Sequence, residues 1–119
     1  MYRLRVIDSF ASAHFLRNYE GKCENLHGHN WRVEVYLEGE KLNETGLLID
    51  FKEIKKELKS LLNGLDHIFL NDHEYFKKVN PTSENIAKYI YDKMKERFGN
   101  LIKSVVVWES DNAAAEYFE

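Results

Sequence analysis

One cysteine, one proline and no long apolar run are what this sequence makes do with. A lone cysteine has no sulfur to pair with in its own chain, which excludes a disulfide framework and a redox C-x-x-C motif alike. No segment approaches the roughly 20 apolar residues needed to span a bilayer, so no membrane partner is expected. The opening "MYRLRVIDSF" alternates polar and apolar residues and lacks the unbroken apolar stretch of a signal peptide. A soluble, cytoplasmic protein is the expectation. Excess charge of either sign is also missing: 17 basic and 20 acidic side chains leave a net −3. That gives no electrostatic reason to expect nucleic acid or an anionic surface as partner. Without repeats, low-complexity tracts or linkers, residues 1–119 read as one domain. At that length folding buries roughly two-thirds of the surface the unfolded chain exposes.

What is present is periodicity. Residues 2–10 alternate, with Tyr2, Leu4 and Val6 on one side and Arg3 and Arg5 on the other, as in a half-buried strand. Residues 29–38 alternate more clearly, Trp31, Val33, Val35 and Leu37 opposing Arg32, Glu34, Tyr36 and Glu38. Asp50 caps a helix with Glu53 at the capping-box position, Ile54, Leu58, Leu61 and Leu62 as its apolar stripe, and Asn63-Gly64 as its end. Residues 65–81 keep no period and hold the proline, so they read as a structured loop. Thr82 or Ser83 caps a second helix, marked by Ile86, Ile90, Met94 and Phe98 and stopped by Gly99. Residues 104–109 and 113–118 are strands around an "SDN" turn. The order β-β-α-α-β-β predicts an α+β fold, a four-stranded antiparallel sheet with two helices on one face. Its two free edges make oligomerisation by edge pairing an expectation.

The chemistry concentrates in "KCENLHGHNW", residues 22–31. His27 and His29 project from the same side of a strand, in phase with Trp31. If the first two strands pair, His14 in "SAHF", just past the first of them, comes close to both. Three neutral imidazoles leave one tetrahedral position open, the pattern of a catalytic rather than a structural zinc site. Ligand type alone does not separate Zn²⁺ from Fe²⁺ or Ni²⁺. Taken singly, each histidine is as well explained as a surface or loop residue.

Cys23 lies in the loop joining these strands. Beside a cation its thiol loses its proton more readily and becomes a base or nucleophile, whereas buried alone it is inert packing. Asp66-His67, in "LDHIFLND", can act as a carboxylate-tuned imidazole or as a helix-end cap beside a surface ring. Glu109 ends "SVVVWE" in phase with Val105 and Val107. It therefore needs a cationic partner, a ligand's N–H groups or solvent.

Together "SFASAHFL", "CENLHGHNW", "GLLIDFKEIK", "LDHIFLND", "PTSENIAKYIYDKM" and "VVVWES" resemble the 6-pyruvoyl-tetrahydropterin synthase/6-carboxy-tetrahydropterin synthase family over nearly the whole chain. The resemblance implies the T-fold (tunnelling fold), with trimers closing a barrel and commonly stacking as hexamers. It implies Zn²⁺ on His14, His27 and His29, Cys23 as catalytic base, and Asp66 and His67 as a proton relay, from the same or a neighbouring subunit. It also implies Glu109 as the anchor of a pterin ring, with Thr82 and Ser83 lining the pocket.

The implied substrate is 7,8-dihydroneopterin triphosphate. The spacing from Cys23 to His27 is that of the branch forming 6-carboxy-5,6,7,8-tetrahydropterin for 7-deazaguanine synthesis. Glu24, three residues before His27, is the mark of a branch forming 6-hydroxymethyl-7,8-dihydropterin. A 6-pyruvoyl product is the remaining option on the same scaffold, and a non-catalytic zinc- or pterin-binding oligomer is the alternative outside enzymes.

Overall fold

A computed structural model describes residues 1–20 and 25–119. The elements are β1 (Tyr2–His14), β2 (His27–Gly39), α1 (Phe51–Asn63), α2 (Ser83–Phe98), β3 (Ile102–Ser110) and β4 (Ala113–Phe118). The strands form one antiparallel sheet in the order β1-β2-β3-β4, and the α+β order expected from periodicity is the one observed.

One face of the sheet carries both helices. Trp31, Val33, Val35 and Leu37 from β2 and Val105 and Val107 from β3 are buried against Ile54, Leu58 and Leu62 of α1 and Ile86, Ile90 and Met94 of α2. Each such side chain contributes about 1.5–3 kcal/mol of burial, so these strips fix the helices on the sheet. Asp50 caps α1 by accepting from the Lys52 N–H at 2.9 Å, and Thr82 caps α2 by accepting from the Asn85 N–H at 3.1 Å. Gly99 stops α2 at a φ of +57°, a region that disfavours any side chain. Among the described residues, no helix is long and apolar enough to cross a membrane.

The first two strands are longer than their alternation suggested. β1 runs on through Ala11, Ser12 and Ala13 to His14, which is its last residue rather than a loop residue just beyond it. β2 begins at His27 rather than at 29. The physical reason lies in the predicted loop, which docks along the outer edge of β1. The Ala11 N–H donates to Asp66 Oδ1 at 2.8 Å, and the Ala11 carbonyl accepts from the His67 N–H at 2.6 Å. The Ala13 N–H donates to the Ile68 carbonyl at 3.2 Å, and the Ser12 hydroxyl donates to that of Leu65. Two asparagine amides then extend the seam as surrogate backbone. Asn71 bonds both the N–H and the carbonyl of Phe15 at 3.0 Å. Asn80 does the same for Arg17, at 2.8 and 2.7 Å. Among the described residues, none covers the outer half of β1 nearer Met1 in this way.

The other face of the sheet is polar. There the buried Glu34 accepts from the Trp108 indole and, at 3.3 Å, from the Tyr36 hydroxyl, while Arg5 stands 3.8 Å and Arg32 3.5 Å away.

Candidate metal centre

The register sets His14 directly opposite His27 and Ser12 opposite His29, so the paired ends of β1 and β2 bring three imidazoles to one side. Trp31, fully buried, forms their floor: its ring meets that of His14 edge-on at 4.9 Å and that of His29 at 5.1 Å. β3, on the far side of β2, delivers Glu109. Its Oε1 is 3.0 Å from His29 Nε2, 3.4 Å from His14 Nε2 and 3.9 Å from His27 Nε2. One ligand atom from each of these four residues lies within 4.8 Å of all the others.

Tautomers follow from the acceptors behind the rings. His14 Nδ1 lies 2.7 Å from the Pro81 carbonyl, and His27 Nδ1 lies 2.8 Å from that of Asn25. A carbonyl can only accept, so each Nδ1 carries the proton and donates it. In the neutral rings Nε2 is then the nitrogen that carries the lone pair, and these two atoms stand 3.0 Å apart. Two lone pairs at that separation repel unless a proton or a metal ion lies between them. The donor set, imidazoles with one carboxylate, suits Zn²⁺, and the backing carbonyls supply the orientation that metal-bound histidines need.

Asp66 and His67 stand elsewhere, beyond the outer edge of β1. His67 Nδ1 is 2.8 Å from Asp66 Oδ2, and its ring is 82% exposed. The Ala11 N–H, and after it the His67 ring, hold the Asp66 carboxyl below its ordinary value. His67 adopts a φ of +55°, uncommon for a residue with a side chain, and its N–H bond to Ala11 holds it there.

Ser83, buried at the start of α2, points its hydroxyl at Glu109 Oε2 from 3.5 Å. Thr82 uses its hydroxyl as the helix cap. Cys23 and Glu24 lie outside the described residues. Sequence patterns missed the backbone acceptors at Pro81 and Asn25, which carry no side-chain signature. They also missed the approach of Glu109 to the imidazoles, for which its phase with Val105 and Val107 was the available signal.

With this geometry in hand, the comparisons are specific. The family model described as 6-pyruvoyl tetrahydropterin synthase matches residues 3–119. A 6-carboxy-5,6,7,8-tetrahydropterin synthase of Synechocystis sp. is 43% identical over 92% of this chain and 88% of its own. Another, from Haemophilus influenzae, is 30% identical over the full length of both. The solved structure of Caenorhabditis elegans 6-pyruvoyl tetrahydropterin synthase superposes with a TM-score of 0.88 at 32% identity, covering 99% of this chain and 95% of that one.

Proposed function

The chain belongs to the 6-pyruvoyl tetrahydropterin synthase family, and from that premise we propose a zinc-dependent carbon–oxygen lyase acting on 7,8-dihydroneopterin triphosphate. With water, the products are 6-carboxy-5,6,7,8-tetrahydropterin, acetaldehyde and triphosphate. The curated relatives of that name and the four-residue step from Cys23 to His27 favour this product over the 6-pyruvoyl and 6-hydroxymethyl ones. The observation that supports the metal assignment is the convergence of the Nε2 atoms of His14 and His27, 3.0 Å apart with both Nδ1 atoms facing backbone carbonyls.

Bound zinc supplies a Lewis acid to the oxygens of the substrate's side chain and stabilises negative charge that develops there. The chain's own residues do the rest. His14, His27 and His29 hold the ion without adding charge, while Trp31 and the two carbonyls keep their rings in place. Cys23, as thiolate, takes and returns protons at the side-chain carbons. Asp66 orients His67, which keeps that thiolate basic. Glu109 accepts hydrogen bonds from the pterin's amino and ring N–H groups, steadied by Ser83.

Asp66 and His67 lie on the opposite side of β1 from β2 and β3, so they serve the site of a neighbouring copy. That arrangement follows if the free edge of β4 pairs with the uncovered half of β1 in the next chain, closing a trimeric barrel that stacks into a hexamer.

The test is direct. Zinc-loaded protein incubated with 7,8-dihydroneopterin triphosphate is expected to yield the 6-carboxy product by mass together with free acetaldehyde. A 6-hydroxymethyl product would transfer the assignment to the branch that Glu24 marks. Absence of any pterin conversion by metal-replete oligomer would leave a binding protein instead.

A further inference from the structure

We propose that Glu109 is itself the fourth ligand of the metal when substrate is absent, so that substrate reaches the ion only by displacing a carboxylate. The proposal rests on the reading of His14, His27 and His29 as ligands and adds a resident occupant to the position they leave open.

Distances carry it. Around a tetrahedral zinc with bonds of roughly 2.0–2.1 Å, neighbouring ligand atoms stand about 3.3–3.4 Å apart. Glu109 Oε1 lies 3.0, 3.4 and 3.9 Å from the Nε2 atoms of His29, His14 and His27, and the last two are 3.0 Å from each other. These separations straddle the edge length of that tetrahedron. A carboxylate reserved for a distant ring would have no cause to direct one oxygen into the middle of three imidazoles.

Charge argues the same way. Three neutral imidazoles leave the full double charge of the ion in a half-buried pocket, and one carboxylate halves it. The second oxygen is engaged separately, by the Ser83 hydroxyl at 3.5 Å, which turns Oε1 alone towards the nitrogens. Yet the Glu109 side chain is 37% exposed, so it has room to swing away. Once displaced, the same carboxylate is free to accept the pterin's N–H groups. One side chain then closes the centre before substrate arrives and grips the ring afterwards.

Cobalt(II) in place of zinc gives a readout independent of turnover, because its visible bands report ligand identity and number. The wild-type protein is expected to show a four-coordinate spectrum that millimolar acetate leaves unchanged. Glu109→Ala is expected to shift those bands, and acetate to restore them by filling the vacated position. Its zinc affinity, measured against a chromophoric chelator, is expected to fall at least the ~10-fold that loss of a mere outer-shell partner costs. Glu109→Gln, closest in shape, serves if the alanine variant does not fold, and is expected to shift the bands as well.

Unchanged bands and zinc affinity in the folded variants would overturn the proposal while leaving the three-histidine site standing. So would an intense sulfur-to-cobalt charge-transfer band, which would give the position to Cys23. Wild-type protein that binds neither ion would overturn the proposal and the reading beneath it together.

Discussion

At the ends of β1 and β2, three imidazoles share a carboxylate with Glu109; on the outer edge of β1, His67 shares one with Asp66. The same two functional groups meet in both places, but the fold treats them differently. His14 is almost wholly buried, held against Trp31 with its tautomer set by the Pro81 carbonyl. His67 is held through its backbone and through Asp66, and its ring faces outward. A ligand must be rigid and must lose its choice of tautomer, since a metal ion tolerates neither rotation nor a proton on the wrong nitrogen. A proton carrier must reach a reacting atom and exchange, so exposure suits it. On the proposed reading, the contrast separates a centre assembled within one chain from a pair that works outside it.

The largest effect expected is at the buried centre. His14→Ala should abolish both zinc retention, read by metal analysis of the dialysed protein, and all turnover. Retention of a full complement of zinc would erase the distinction between the two regions. Next, His67→Ala should lower kcat by roughly 10²–10⁴-fold, the usual worth of general acid–base help, with zinc content unchanged. Cys23→Ala should behave likewise. Mixing these two inactive variants under conditions that exchange subunits should restore part of the activity, because some sites then draw a thiol from one chain and an imidazole from another. No recovery would place the relay within a single chain.

Smaller effects concern the seam between the regions. Asn71→Ala removes both bonds that tie Phe15 to the loop and should cost about 1–3 kcal/mol in chemical denaturation. Smallest is a pH effect at Asp66. Its carboxyl is held below the ordinary 3.8, mainly by the Ala11 N–H. The folded state therefore favours the ionised form, and its contribution is complete above that ordinary value and fades as pH falls through the depressed one. Asp66→Asn should remove that contribution, lowering stability slightly at neutral pH, flattening the acid limb of the unfolding profile and leaving stability below the depressed value almost unaltered.

Much of this was legible beforehand, for definite reasons. Trp31, Val33, Val35 and Leu37 alternate because one face of β2 is buried, and Asp50 and Thr82 announce helix starts because their side chains replace missing backbone acceptors. His27-Gly28-His29 read as a same-face pair because strand alternation puts both side chains on one side. The extension of β1 to His14 was hidden, since in Ala11-Ser12-Ala13 the polar residue falls on the buried face, against the expected alternation, and the loop beside them supplies the bonds that keep them extended. Asn71 and Asn80 look like ordinary loop residues until their amides are seen completing a strand. The carbonyl of Pro81 belongs to a group every residue has, and only tertiary structure selects it.

The docked loop also acts as an end-stop. Any strand laid along the outside of β1 can advance only as far as Ser9 before it collides with the backbone that already occupies Ala11. Sliding by a dipeptide keeps every side chain on its proper face and is therefore the cheapest error in sheet assembly, but towards the metal-bearing end it is blocked here by bulk rather than by chemistry. The same few residues that present an imidazole outward thus also measure how far another polypeptide can travel before it comes to rest.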